Sequence, residues 1–222
     1  MLFSFTPALA IISAATAALA LNTPFVSDHS AHLLSARAPA VGVGPALWDG
    51  KCAYPAPAAG FEAAKYVGPS TSKTVTWYQL AASFQVFEIG CSCVQARYGL
   101  FPNGSVSVLN YCNRFNSSST IQGFAPPTPA YGAGTFRVNF GFPTGGCAGP
   151  NYIVSRYYTD SKGEYQAALV GSAEFAGWFV LSKTRIVSNS TINGYLNDLA
   201  ALGYNLSKPY SITEQQANCP GP

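Results

Sequence analysis

Charge is what this chain of 222 residues has least of: Asp, Glu, Lys and Arg together make up 9% of it, against about a quarter in an ordinary soluble domain. The 12 basic and 9 acidic side chains are scattered singly and leave a net charge of +3. No basic run or stripe is present to displace counterions from a nucleic-acid backbone, so nucleic acid is not an expected partner. Histidine is equally scarce. His29 and His32 both fall in an N-terminal segment that reads as a leader. A processed chain therefore has no histidine for a Ser-His-Asp triad, a Cys-His pair, or a His-based metal or haem site. There is no C-x-x-C, no G-x-S-x-G and no phosphate loop. The carboxylates Asp49, Glu62, Glu88, Asp160, Glu164, Glu174, Asp198 and Glu214 are not paired in a glycosidase-like motif, and Asp160 after Thr159 reads as a turn. No enzyme activity, cofactor or metal is expected.

Long apolar runs are missing too. The stretch Ala8 to Ala20 is too short to span a bilayer and ends in Ala18-Leu19-Ala20, small residues suited to a cleavage site, so residues 1–20 read as an export signal. It departs from the usual pattern in having no Lys or Arg before Arg37. Residues 21–47 lack periodicity and read as a flexible pro-segment or linker, which leaves 48–222 as one domain.

What is abundant points outward from the cell. Aromatics reach 14%, and there are 21 Gly and 16 Pro. All six cysteines, Cys52, Cys91, Cys93, Cys112, Cys147 and Cys219, follow the leader. An even count in an exported chain favours three disulfides, and Cys91 and Cys93 are too close to bridge each other comfortably. Sequons at Asn103, Asn116, Asn189 and Asn205 suit the same secreted, extracellular destination.

From Val75 onward, alternation dominates. Thr135 to Phe140 is the cleanest strand, with Phe136, Val138 and Phe140 on one face and polar residues on the other. Val94, Ala96, Tyr98 and Leu100 alternate in another, and Pro102-Asn103-Gly104 turns the chain back into Val106, Val108 and Asn110. Further strands are expected at 77–82, 121–125, 152–159, 165–171 and 178–183, for eight in all. One late helix should follow an N-cap at Ser188 or Asn189, carry Ile192, Leu196, Leu199 and Leu202 at helical spacing, and stop at Gly203. The segment Trp178-Phe179-Val180-Leu181 is apolar on both faces, so the helix is expected to cover one of them. Eight antiparallel strands in up-and-down order can close into a barrel just wide enough for one small ligand.

In order and spacing, several short motifs make the chain resemble the lipocalins, specifically the apolipoprotein D and bacterial lipocalin branch. They are Gly50-Lys51-Cys52, Thr76-Trp77-Tyr78, Cys93 to Tyr98, Val108-Leu109-Asn110, Phe136-Arg137-Val138, Trp178 to Lys183 and Gln216 to Cys219. Val75 stands where that family has Gly, and Lys183 where it usually has Arg. The resemblance implies an all-β, eight-stranded up-and-down barrel with one C-terminal helix packed outside. It also implies that Trp77 lies at the closed end under Lys183, retaining part of a cation–π contact. It further implies three bridges: Cys93–Cys219 from the start of the second strand to the tail, Cys52–Cys147 near the closed end, and Cys91–Cys112 near the open end.

Resemblance and parity together name a ligand face: Val94, Tyr98, Val108, Asn110, Phe136, Val138, Phe140, Trp178 and Val180. Such a wall suits a fatty acid, steroid, retinoid or pigment, with Asn110 and the Tyr98 hydroxyl orienting the polar end. Phe84 and Phe87 fall on an open-end loop, as a portal or a point of transient membrane contact. The competing expectation is a filled barrel that serves as a secreted structural or interaction module.

Overall fold

The computed structural model describes residues 46–143 and 146–221. The leader and nearly all of the linker lie outside these residues; Leu47, assigned above to the linker, is the first residue of a strand. In chain order the elements are β1 (Leu47–Trp48), β2 (Ala53–Tyr54), α1 (Ala63–Val67), β3 (Val75–Ser83), β4 (Cys91–Leu100), β5 (Val106–Arg114) and β6 (Ser117–Ala125). They continue with β7 (Thr135–Phe136), β8 (Tyr152–Thr159), β9 (Tyr165–Gly171), β10 (Trp178–Ser182), α2 (Asn189–Ala201) and β11 (Tyr210–Ile212).

Strands β3 to β10 form one antiparallel sheet in the order β6-β5-β4-β3-β10-β9-β8-β7. Each strand pairs with its chain neighbour except β6 and β7, which are the sheet edges, and β10 returns to β3, so the sheet curls into an up-and-down barrel. Its two edges meet along a short seam. Phe124 and Asn139 exchange two backbone hydrogen bonds of 3.1 and 2.9 Å, Arg137 N donates to Pro126 O, and Thr128 N donates to Thr135 O. The β4–β5 turn forms as its residues dictate: Gly104 takes φ +81°, and Ser105 N donates to the Asn103 side-chain carbonyl at 3.0 Å.

Thr135 to Phe140 is not a continuous strand. Only Thr135 and Phe136 pair with β8. Beyond them the Asn151 side chain takes over the ladder, accepting from Val138 N at 2.7 Å and donating to Val138 O at 2.9 Å. The side-chain amide satisfies the backbone groups that a strand partner would have used. The alternation survives, because Phe136, Val138 and Phe140 still face inward.

The helix α2 begins where its cap dictates, with the Ser188 hydroxyl accepting from Thr191 N at 3.1 Å. Ile192, Tyr195, Leu196 and Leu199 pack onto Leu80, Leu169, Trp178 and Val180 on the sheet exterior. Asp198 pins the helix to β8, pairing with Arg156 at 2.7 Å and accepting from the Tyr158 hydroxyl at 2.6 Å.

The tail then does more than cross the surface. β3 pairs with β4 only over Val75–Tyr78, and above that β11 takes the ladder, with Tyr210–Ile212 opposite Ser83–Ala81. Thr213 N donates to Leu80 O and Cys93 N to Glu214 O, while the Gln215 amide donates to the carbonyls of both Gln79 and Val94. The C-terminal segment is thus wedged between β3 and β4 as part of the wall. β4 accommodates it with a register shift between Ser92 and Gln95 and a positive φ of 56° at Cys93. The cysteines join as Cys52–Cys147, Cys91–Cys112 and Cys93–Cys219, with Cα separations of 5.8, 5.5 and 5.5 Å. These are the pairs implied by the family resemblance.

Candidate functional site: an apolar cavity in the barrel

The barrel encloses a cavity of about 810 Å³. Its floor is built by a device that the alternation pattern did not reveal. The short helix α1, ended by Gly68 at φ +81°, lies inside the closed end, and Tyr66 stacks on Trp77 with ring centroids 4.6 Å apart. Trp77 is fully buried and donates its indole N–H to Tyr66 O at 2.8 Å. The Lys183 ammonium sits 5.5 Å from the Trp77 ring centroid, and burial holds its pKa below the ordinary lysine value. Trp77 is therefore covered by Tyr66 on the cavity side and does not line the cavity.

Above the floor three tyrosines meet, Tyr66 and Tyr98 buried and Tyr152 half-buried. The Tyr66 and Tyr152 hydroxyls are 2.6 Å apart, and Tyr152 donates to the Tyr98 hydroxyl at 3.3 Å. Burial pushes Tyr98 up to about 12 and holds Tyr66 and Tyr152 well above the ordinary tyrosine value, so all three stay neutral hydroxyls. The sequence named Tyr98 and missed its two partners. Neither Tyr66, in a five-residue helix, nor Tyr152, at a strand start, carries a periodic signal.

Of the nine residues placed on the ligand face, seven line the cavity: Val94, Tyr98, Val108, Asn110, Phe136, Val138 and Phe140. Trp178 and Val180 do not. They point outward into the cluster beneath α2, and Trp178 also packs against Tyr210 at 5.6 Å. Their neighbours Phe179 and Leu181 face inward instead. The error has a physical origin. β10 is apolar on both faces, so alternation alone could not say which face the helix covers, and the β3–β10 register shifts between Val180 and Leu181.

Polar groups are few and unevenly used. Asn110 Oδ1 is buried without a hydrogen-bond partner. Glu88, on the β3–β4 loop, also lines the cavity and accepts from Gln79 Nε2 at 2.8 Å; burial raises its pKa more than that hydrogen bond lowers it. Arg114 lines the rim, with Nε donating to Ile89 O and Nη2 to Phe87 O. Phe84 and Phe87 stand at the mouth, 59% and 64% exposed. The four sequon asparagines are all exposed. Among the described residues, the one group with metal-ligand spacing is Cys52, Cys147 and Glu174, and there both sulfurs are committed to a disulfide.

A curled up-and-down barrel with an apolar, floored and mouthed interior defines a small-molecule-binding barrel. The comparisons narrow the class. Residues 64–213 match the family model for a lipocalin-like domain. Apolipoprotein D of Mus musculus is 29% identical over 180 residues, covering 77% of this chain and 85% of that protein. Apolipoprotein D of Bos taurus is 28% identical over 186 residues, covering 80% and 88%. Among solved structures, insecticyanin from the tobacco hornworm Manduca sexta superposes with a TM-score of 0.54 at 16% identity, covering 79% of this chain and 92% of that one. Lobster apocrustacyanin A1 does so with a TM-score of 0.51 at 15% identity, covering 70% and 81%. The chain belongs to the lipocalin family, whose members bind and transport small hydrophobic ligands.

Proposed function

We propose that this protein is a secreted carrier that holds one small apolar molecule, such as a fatty acid, steroid, retinoid or pigment, in the barrel cavity. The observation that supports this most is the cavity itself: about 810 Å³ of space above a closed aromatic floor, within the range that takes a ligand of that size. The alternative, a filled barrel acting as an interaction module, does not account for that space. Three disulfides and four exposed sequons support an extracellular, glycosylated protein. Phe84 and Phe87 at the mouth support transfer of cargo at an apolar surface, including transient contact with a membrane.

The test is displacement of the neutral fluorophore N-phenyl-1-naphthylamine from the secreted protein, alongside native mass spectrometry for co-purified lipid. Phe140→Arg puts a guanidinium on the apolar wall and should abolish probe binding while leaving the far-ultraviolet circular dichroism intact. Unchanged affinity in that variant, or no binding by the parent protein, would overturn the reading. Tryptophan quenching is a poor reporter here, because Trp178 faces α2 and Trp77 lies beneath Tyr66.

A further inference from the structure

The barrel interior changes character across one pair of side chains. In the ring of eight strands β8 lies four places from β4, on the opposite wall. An eight-stranded barrel is narrow enough for side chains from facing walls to meet. Here they do: Tyr152 enters from β8 and Tyr98 from β4, with hydroxyls 3.3 Å apart and ring centroids 6.2 Å apart at 85°. Tyr66 joins them from α1, its hydroxyl 2.6 Å from that of Tyr152. The two sides of this crossbar differ. Toward the closed end Phe61, Trp77 and Tyr165 are buried, and none of them lines the cavity. Toward the mouth Val138, Phe140 and Phe179 line it and keep part of their surface free. Tyr152 itself is half-buried, between the two.

Tyr152 is held at both ends. Its backbone pairs with that of Phe136 on β7, and the two rings pack 6.3 Å apart. The preceding Asn151 ties the same segment down, accepting from Val138 N and donating to Val138 O. At the far end of the ring, each hydroxyl has one proton to give. Tyr152 gives its own to Tyr98, so Tyr66 donates to Tyr152. A rotamer that withdrew the ring from the middle of the barrel would break both hydrogen bonds, and buried hydroxyls are costly to leave unpaired.

We infer that Tyr152 is the depth stop of the cavity, the residue that sets how long a cargo the barrel accepts. This rests on the carrier reading and adds a specificity to it: straight-chain cargo is ranked by length. Each methylene that a chain buries tightens its binding about fourfold. That gain ends once the chain reaches from the mouth to the crossbar, because further carbons stay in water. Removing the ring opens an apolar void at the end of the cavity, and such a void stays dry and takes an apolar guest.

The experiment ranks the straight-chain alcohols from 1-octanol to 1-hexadecanol as competitors of N-phenyl-1-naphthylamine and reads the chain length at which the gain per carbon stops. In Tyr152→Ala that break should move to longer chains by about two carbons, so that an alcohol past the parent's break gains about tenfold. Tyr152→Trp enlarges the stop and should move the break to shorter chains. Tyr152→Phe keeps the ring, loses the hydroxyl, and should leave the break in place. Circular dichroism checks the fold of each variant, and Tyr152→Trp carries the test if Tyr152→Ala fails to fold. The inference would be overturned, with the carrier reading left standing, by a parent whose affinity climbs without a break, by a break unmoved in Tyr152→Ala and Tyr152→Trp, or by one that Tyr152→Phe shifts as far as Tyr152→Ala does. Absence of probe binding by the parent protein would overturn both.

Discussion

Substituting Ala for Phe179 and, separately, for Val180 asks which face of β10 meets the cargo. The two residues are adjacent and apolar, yet Val180 is fully buried beneath α2 while Phe179 is half-buried on the cavity wall. Val180→Ala deletes two carbons from a packed position. The transfer loss of about 0.8 kcal/mol per carbon plus a cavity term gives about 2 to 3 kcal/mol of lost stability. Its ligand affinity should stay within about twofold of the parent. Phe179→Ala should behave in the opposite way. One side of its ring borders empty space, so truncation costs stability by only about 1 to 2 kcal/mol. A bound ligand loses roughly 40 Å² of apolar contact, about 1 kcal/mol at 25 cal/mol per Å², which is about fivefold in affinity. Urea denaturation followed by circular dichroism reads the first quantity, and probe displacement reads the second. If Val180→Ala weakened binding more than Phe179→Ala did, the inward and outward faces of β10 would be reversed.

Two further outcomes follow from the same residues. Burial raises the Glu88 pKa above its ordinary value of 4.5. The proton is therefore held more tightly in the folded state, and this group's contribution to stability is full below that ordinary value and lost as pH rises through the raised one. Glu88→Gln should thus melt higher than the parent at pH 8, with the gap closing by pH 4. The charges of Arg114 and Glu214 are common to both proteins and cancel in the difference; equal melting shifts at both pH values would refute the assignment. Breaking the longest bridge, Cys93–Cys219 at a sequence separation of 126, by Cys93→Ser with Cys219→Ser removes about 4 to 5 kcal/mol in the chain-entropy account, less where the Cys52–Cys147 loop overlaps it. The same change should free the tail from β3 and β4, read as early proteolysis after Ser207. Non-reducing peptide mapping that found Cys52 joined to Cys112 would refute the pairing itself.

The strands and the late helix were legible because each obeys a short-range rule. Alternation marked β4 and β5, Asn103-Gly104 marked the turn between them, and Ser188 with Gly203 bracketed α2. The seven named residues that line the cavity all lie on strands or an extended segment, and in β4 and at 135–140 one face is apolar and the other polar, so period two assigns the side there.

What the sequence by itself determined is therefore the barrel strands and the late helix, their up-and-down order, and which side chains share a face wherever the two faces differ in polarity. The tertiary structure alone decided which face of β10 looks inward, because Trp178 to Leu181 is apolar throughout and only the docking of α2 breaks the tie. It also decided that Tyr66 roofs Trp77 and that β11 enters the wall. Each is a meeting of segments far apart in the chain, made by closure of the barrel, and no local period or propensity encodes it.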